Sequence, residues 1–261
     1  MKTEDLKFTA RLWTLLLVAL VLGACATQPP EHEPADLASS PWALASSSAA
    51  RPALWQHQEF PGKRTSLYRY ARMEGRDAVL AQASASASML RQMVRIEAAD
   101  LSHLRFSWKV PALIESADLS VRDQEDSPVR IVLAFEGDRS KFPAKDAMLS
   151  ELAHALTGEP MPYATLMYVW CNNRDPGSVL VNPRTSRIRK LVMESGPRNL
   201  SQWLDYERDI RADFVKAFGE PPGALVAIGI MTDTDNTQSA TQAWYGPVRL
   251  LTTANVTKAL Q

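Results

Sequence analysis

Short stretches of alternating apolar and polar residues, each closed by a turn signal, follow one another from Leu54 onward and constrain the fold most strongly. The first two, residues 65–73 and 78–88, flank the turn sequence EGRD as two antiparallel strands would. Eight further segments follow: RQMVRIEA, LRFSWKV, VRIVLAFEG, ATLMYVWCN, SVLVNP, RIRKLVMES, ALVAIGIMT and AWYGPVRLL. About ten strands at hairpin spacing predict a mainly β protein, an antiparallel β-sandwich of two packed layers.

Two short helices interrupt the strands. They are predicted at residues 144–156 and 209–218, and Gly and Pro follow each of them. Each has an apolar stripe, formed by Met148, Leu152 and Leu156 in the first helix and by Ile210, Phe214 and Phe218 in the second. Because an apolar stripe is normally buried against a neighbouring layer, we expect both helices to cover an end or edge of the sandwich.

Residues 1–25 have the features of an export signal. Three basic residues precede the apolar run Leu12–Leu22, which is too short for a permanent membrane span. The run ends in LGAC, which resembles the lipobox of bacterial lipoproteins, whose cysteine, here Cys25, is lipidated. Ala26 then favours sorting to the outer membrane, so we expect a lipid-anchored protein on its periplasmic face. The alternative is ordinary cleavage, with Cys25 incidental.

The rest of the chain divides by composition. Residues 26–52 are rich in Ala, Ser and Pro, which predicts a disordered tether. Residues 53–252 hold the predicted strands and form the β-sandwich domain, and residues 253–261 form a C-terminal tail. Cys171 is the only cysteine after Cys25, so the domain has no internal disulfide and depends on its own core.

The charge balance argues against nucleic acid as a partner. Basic and acidic residues are equal in number, and the formal net charge is +0. The one basic cluster is Arg184, Arg187, Arg189 and Lys190. Four charges without interleaved aromatic residues are typical of a solvated hairpin rather than of a phosphate-binding surface.

The stretch MTDTDN places acidic groups directly after an apolar strand. If the strand continues, Asp233 and Asp235 project to the same side about 7 Å apart. Together with Asn236 they suit Ca²⁺, which binds carboxylate and amide oxygens. The stretch does not match an EF-hand, since Gln238 stands in place of the glycine and Trp244 in place of the closing Glu. Turn formation and direct ligand binding are the two alternatives.

Arg130 is unusual because it begins an apolar strand. Glu125 or Asp126 is close enough in sequence to pair with it, which gives a buried ion pair as the structural explanation. The functional explanation is a binding cleft, in which the acidic corner lies beside the arginine strand and which is lined by Asp126, Arg130, Trp170, Asp233 and Asp235. Trp170 is then either a core residue or a platform for sugar rings. The ligand-binding candidates are Asp126, Arg130, Trp170, Asp233, Asp235, Asn236 and Tyr245.

We find no complete catalytic set in the sequence. There is no G-x-S-x-G motif and no Gly-rich phosphate loop. His57, His103 and His154 are isolated from one another and lack metal-ligand spacing. Enzymatic activity is therefore not expected, and a binding or structural role is favoured.

Several segments resemble a known bacterial family. EDSPVRIVLAFEG, LMYVWCN, ERDIRADFVKAFGE and GIMTDTDNTQSATQAWYGPVRL, in this order after the strand FSWKV, are similar to domain of unknown function 3047 over about Trp55 to Leu251. The resemblance implies an envelope protein with a jelly-roll sandwich like that of galactose-binding domains and many carbohydrate-binding modules. It also implies two Asp residues ahead of Arg130, and this chain has Glu125 in place of the first.

Two functions are compatible with these features. The first is a lipid-anchored envelope binding module that holds a saccharide. The second is a structural or assembly lipoprotein that binds another envelope protein and uses the acidic corner only as a turn. Ca²⁺ is the one cofactor that the sequence suggests, at Asp233 and Asp235.

Overall fold

Thirteen strands and three α-helices make up the described part of this computed structural model, residues 37–46 and 55–252, all within the unit Pro34–Gln261. The helices are α1 (Pro41–Ala45), α2 (Ala144–Thr157) and α3 (Ile210–Phe218). The strands are β1 (Gln56–Glu59), β2 (Leu67–Met73), β3 (Arg76–Ser84), β4 (Ala87–Ile96), β5 (Leu101–Lys109), β6 (Ser127–Phe135), β7 (Ala164–Cys171), β8 (Val179–Val181), β9 (Ile188–Ser195), β10 (Trp203–Asp209), β11 (Leu225–Asp233), β12 (Ala240–Tyr245) and β13 (Arg249–Thr252).

Three predicted features lie wholly or partly outside the described residues, namely the export signal with Cys25, the tether at 26–36 and 47–52, and the tail at 253–261. Within the part that is described, no helix has both the length and the apolar character needed to cross a bilayer.

The strands form two sheets, which confirms the predicted sandwich. One sheet has seven strands in the order β1-β4-β11-β6-β7-β9-β8. The other has six strands in the order β10-β5-β12-β3-β2, and β13 also pairs with β5. The sequence did not predict β1 or β10. It predicted β12 and β13 as one strand, whereas the chain interrupts the pairing at Gly246–Val248 before it rejoins β5.

The core lies between the sheets and follows from strand alternation. In β6, Val129, Ile131, Leu133 and Phe135 face the core, while Arg130 points to the outer face of the seven-stranded sheet. The facing sheet contributes Phe106, Trp108 and Tyr245, among others, to the same core. Phe106 stacks on Tyr168 of β7 with ring centroids 5.5 Å apart, so aromatic contacts join the two layers.

One pair of neighbouring strands is parallel. β7 and β9 run in the same direction, whereas the other pairs of described strands are antiparallel. After β7 the chain crosses to the edge of the sheet, forms β8, and returns as β9 between the two. Since β9 reverses the direction of β8, it runs parallel to β7.

Helix α3 begins one residue after the predicted start, ends as predicted and packs as expected. Asp209 caps its first turn by accepting a hydrogen bond from the Ala212 N–H, and Gly219 ends it in the left-handed conformation. Ile210 and Phe214 are fully buried in the core. The prediction that this apolar stripe covers the sandwich is confirmed.

Helix α2 begins as predicted and ends one residue later, but its apolar stripe faces solvent. Met148, Leu152 and Leu156 are 65%, 53% and 62% exposed. Asp146, on the opposite side, is buried and accepts hydrogen bonds from two hydroxyl groups in the loop before β9. The prediction that this stripe covers the sandwich is wrong, because these polar contacts fix the rotation of the helix.

Part of the predicted tether is folded. Within residues 26–52, α1 begins at Pro41, and the Ser40 hydroxyl caps it by accepting from the Ala43 N–H. Trp42 is fully buried and packs on Trp55 with ring centroids 4.9 Å apart. The tether prediction is therefore wrong for residues 37–46, because one large aromatic side chain with a capped turn is enough to bind this segment to the domain.

Candidate functional site

A buried ion pair joins the two parts of the chain that carry the predicted site. Arg130 and Asp233 lie on neighbouring strands, β6 and β11, on the outer face of the seven-stranded sheet. Arg130 Nε and Nη2 donate to Asp233 Oδ1 and Oδ2, both at 2.8 Å, and the two side chains are 2% and 4% exposed. The predicted approach of the acidic corner to the arginine strand is therefore confirmed, in bidentate geometry.

Glu125 is a second buried carboxylate beside this ion pair, and several basic side chains bind it. Its carbonyl oxygen accepts from Arg130 Nη2 at 2.8 Å, and its Oε1 lies 2.6 Å from Lys190 Nζ. Asn182 donates to both carboxylate oxygens, and Arg184 Nη1 donates to Oε2 at 3.1 Å. Lys190 was predicted to lie in a solvated hairpin, but it is fully buried because Glu125 compensates its charge.

Asp126 organises the acidic turn itself. Its Oδ1 accepts from the backbone N–H and the side-chain amide of Asn236, at 3.2 and 2.9 Å. Its Oδ2 accepts from the N–H and the hydroxyl of Thr237, at 2.7 and 2.6 Å. These bonds fix the backbone of the loop between β11 and β12, so Asp126 and Asn236 serve turn geometry here.

The acidic corner also gathers three carboxylates. Oxygen atoms of Asp126, Asp233 and Asp235 lie within 4.8 Å of one another, as a cation site requires. Arg130 already binds Asp233, and Lys63 Nζ lies 2.5 Å from Asp235 Oδ2. Four acidic and four basic side chains therefore meet here, and their charges balance. This ionic cluster consists of Glu125, Asp126, Asp233, Asp235, Lys63, Arg130, Arg184 and Lys190.

The predicted Ca²⁺ site is tested by chelation. Because basic side chains already neutralise the carboxylates, we expect excess chelator to leave the melting temperature unchanged. A cation that binds only the folded state would raise stability, so its removal would lower the melting temperature. A decrease that added Ca²⁺ reverses, and that the Asp235→Asn variant does not show, would instead place a cation at this corner.

Trp170 and Tyr245 do not line a cleft. Trp170 is 1% exposed, lies between the sheets and donates through Nε1 to the Gly196 carbonyl. The Tyr245 hydroxyl, also buried, bonds to Thr232 and to the Met231 carbonyl. The interpretation of both as ligand contacts is wrong, since the core between the sheets encloses them.

Burial shifts the pKa values of two members of the ionic cluster. It raises the pKa of Asp233 to about 6, against the opposing attraction of Arg130. It lowers the pKa of Lys190 to about 8, and attraction to Glu125 offsets only part of this change. Since Asp233 is 3% exposed, its perturbed carboxyl does not face a substrate in solution.

The pKa of Lys190 gives stability a pH dependence. Between pH 8 and the ordinary value of 10.5, the unfolded chain keeps a proton that the folded chain has lost. Stability therefore rises with pH in this interval, by at most about 1.4 kcal/mol per pH unit. We expect urea unfolding to show that the free energy of unfolding of wild type, relative to that of Lys190→Met, increases with pH in this interval. A constant difference would contradict the lowered pKa.

An open groove that the sequence did not predict lies on the outer face of the six-stranded sheet. Its volume is about 670 Å³. The floor includes Gln82 of β3, Gln242 of β12 and Leu67 of β2, and Leu113 and Arg64 also belong to the lining. Its lining thus combines polar amide groups with apolar side chains.

The two floor glutamines form a pair with free hydrogen-bonding capacity. Gln82 and Gln242 are directly opposite in the pairing of β3 with β12, and Gln82 Nε2 donates to Gln242 Oε1 at 3.3 Å. A primary amide has one acceptor oxygen and two donor hydrogens. The side-chain carbonyl of Gln82 can therefore accept a hydrogen bond from a ligand, and the side-chain amino group of Gln242 can donate to one.

Trp244 extends this surface along β12. It lies two residues after Gln242, on the same face of the strand, and is half-buried. Lys109 and Leu80 are its neighbours in the adjacent strands. An indole ring in this position presents a flat apolar surface beside the amide pair.

The acidic corner adjoins one end of the groove. Lys63, which binds Asp235, directly precedes the groove residue Arg64. The corner loop leads into β12, which begins at the groove residue Ala240. The ionic cluster therefore holds the end of the strand that forms the groove floor.

Comparison with known proteins agrees with the sequence resemblance. The model of the family described as Protein of unknown function (DUF3047) matches residues 53–249. No curated protein shows significant sequence similarity to the chain.

Three solved structures share features of the fold at low similarity. The family 11 carbohydrate-binding module of the cellulosomal cellulase Lic26A-Cel5E of Clostridium thermocellum is 8% identical, with a TM-score of 0.37 and coverage of 76% of this chain and 87% of that one. The xyloglucanase domain of NopAA from Sinorhizobium fredii, in complex with cellobiose, is 9% identical, with a TM-score of 0.41 and coverage of 78% of this chain and 95% of that one. The non-crystalline cellulose specific carbohydrate-binding module CBM28 is 10% identical, with a TM-score of 0.34 and coverage of 74% of this chain and 86% of that one. Values this low carry no information about the ligand of this chain.

Proposed function

We infer that this chain, which belongs to the DUF3047 family of proteins of unknown function, is a saccharide-binding module of the bacterial envelope. The observation that carries the proposal is the groove on the six-stranded sheet, whose lining combines paired amides with apolar side chains. The ligand is an oligosaccharide or a segment of an envelope polysaccharide.

The chemistry of the groove suits a sugar chain. Neighbouring hydroxyl groups of a sugar ring both donate and accept hydrogen bonds, which matches the acceptor of Gln82 and the donors of Gln242. The C–H faces of the ring are apolar and pack against Leu67, Leu113 or the Trp244 indole. A groove that runs over a strand surface also accommodates an extended polymer.

The proposed location rests on the N-terminal signal. We propose that export removes the leader, that Cys25 is acylated, and that the domain stays at the periplasmic face of the outer membrane. The acyl chains supply the membrane anchor. Mass spectrometry of the protein purified from membranes tests this step, and an unmodified Cys25 or an intact leader would contradict it.

Binding is tested with the two glutamines. We expect the Gln82→Ala/Gln242→Ala double variant to lose affinity for envelope oligosaccharides by about 10-fold or more, since each hydrogen bond contributes roughly 0.5–1.5 kcal/mol. Glycan-array screening followed by calorimetric titration supplies the measurement. Gln124→Ala is the matched control, because Gln124 is exposed and lies outside the groove. Binding that the double variant leaves unchanged would contradict the assignment.

A second function is a structural or assembly lipoprotein that binds another envelope protein. It is favoured by the acidic corner, whose carboxylates are engaged by internal bonds and serve turn geometry. A photo-crosslinker in place of the exposed Leu67 separates the two functions in cells. Recovery of one stable protein partner, with no glycan retained, would favour the assembly role.

A further inference from the structure

Helix α2 is amphipathic in the inverse sense, with its polar side toward the domain. Asp146 and Ser150 are buried beneath it, and Asp146 accepts from the hydroxyls of Thr185 and Ser186. A residue two positions further along a helix points about 200° away from the first. Met148 therefore begins an outward stripe, which Leu152 and Leu156 continue.

The outward stripe is apolar and exposed over most of its length. Its three members, Met148, Leu152 and Leu156, retain more than half of their surface. Beyond the end of α2, Glu159 binds Arg91 of β4 at 2.6 Å, and Met93, two residues after Arg91, is 49% exposed. Large exposed apolar surfaces of this kind mark contacts with a partner or a membrane.

The position of the N-terminal segment points to the occupant. Leu37 lines a cavity together with His57 of β1 and Leu90 of β4. β1 and β4 are paired at one edge of the seven-stranded sheet, with Gln56 opposite Arg91. Since Arg91 also holds Glu159, the N-terminal segment and the end of α2 lie along the same edge of the sandwich.

The distance to the proposed anchor is short. Leu37 follows Cys25 by 12 residues, which span at most about 40 Å when fully extended. A domain held this close meets its bilayer at an effective concentration on the order of millimolar. A stripe too small for membrane binding on its own is then sufficient to orient an anchored protein.

We propose that the apolar stripe of α2 lies on the phospholipid bilayer to which Cys25 anchors the chain. This inference rests on the proposed lipid anchor. The side chains enter the boundary between headgroups and acyl chains, and the exposed Lys141 and Lys145 at the start of the helix contact anionic headgroups. The stripe thereby fixes the orientation of the domain relative to the membrane.

The test uses the full lipidated protein in vesicles of phosphatidylethanolamine and phosphatidylglycerol. Leu152→Cys carries a polarity-sensitive fluorophore, and a fraction of the lipids carries a quencher on the acyl chain. Cys171 is 1% exposed, so labelling is selective for the new cysteine. The matched control is Glu207→Cys, an exposed position on the outer face of the opposite sheet.

We expect quenching at Leu152→Cys several-fold stronger than at Glu207→Cys. Equal quenching at the two positions, or none at either in protein that floats with the vesicles, would overturn the membrane contact and leave the anchor intact. Protein that does not float because Cys25 lacks lipid would overturn the anchor and this inference together. A shielded fluorophore at Leu152→Cys in vesicle-free protein would assign the stripe to a second copy and also overturn the proposal.

Discussion

Replacement of Arg130 by methionine is expected to lower the free energy of unfolding by about 3–5 kcal/mol, because it leaves the buried carboxylate of Asp233 without its counterion. Asp233 would lose both of its charge-assisted bonds, and Glu125 would lose the bond to its carbonyl oxygen. The loss is large because Asp233 is only 3% exposed, so water cannot replace the guanidinium. Urea unfolding of the purified variant gives the change directly.

A surface pair provides the control for this prediction. Arg76 and Asp205 are also close, with 2.7 Å between Nη1 and Oδ1, but their side chains are 43% and 64% exposed. We expect Arg76→Met to cost less than about 1 kcal/mol. The Arg130→Met/Asp233→Leu double variant should recover part of the loss, since it removes both charges. Equal effects of Arg130→Met and Arg76→Met would contradict the role of the buried cluster.

Two tryptophans in strands are expected to respond in opposite ways. Trp170→Ala removes a side chain that fills the core and should cost about 3–5 kcal/mol of stability, with saccharide affinity of the folded protein unchanged. Trp244→Ala removes a half-buried ring beside the groove. It should lower affinity about 10-fold or more and cost less stability, since the ring already faces solvent on one side.

Thermal unfolding and calorimetric titration of both variants decide this prediction. Binding is measured well below each melting temperature, so that the folded fraction is the same. Loss of affinity in Trp170→Ala with unchanged binding in Trp244→Ala would place the ligand site elsewhere.

The strand pattern was sufficient to predict the sandwich and one long-range contact. Alternation with a period of two gives the strands, because one face of each sheet is buried in the core. Arg130 stood out because a charge inside an apolar strand requires a counterion, and the sequence suggested Glu125 or Asp126 as its partner. The bidentate partner in the structure is Asp233. The bidentate geometry depends on the register of β6 with β11, which local sequence does not specify.

The side of a helix that faces the domain was harder to predict. The apolar residues of α2 form a clear stripe, but the side of the helix that faces the domain depends on which side chains of the domain lie beneath it. Here Thr185 and Ser186 offer hydroxyls to Asp146, and the stripe remains outside. For the short α1, the Ser40–Pro41 capping signal was present in the sequence, but the composition of the surrounding segment outweighed it.

The groove had no local signal at all. Gln82 and Gln242 are 160 residues apart and meet only through strand pairing. Trp170 was ambiguous for another reason: its strand, β7, is buried on both faces, so alternation does not separate core from surface. Trp244 lies in a strand with one open face, and its position beside the groove becomes clear only from the structure.

The groove assignment is tested most directly by NMR titration of the isotope-labelled protein with envelope oligosaccharides. The side-chain amide resonances of Gln82 and Gln242 and the indole resonance of Trp244 report on the groove, and the Asn236 amide reports on the acidic corner. The account predicts saturable shifts at the first three groups and none at Asn236. Shifts at Asn236 with unchanged glutamine and indole signals would contradict it.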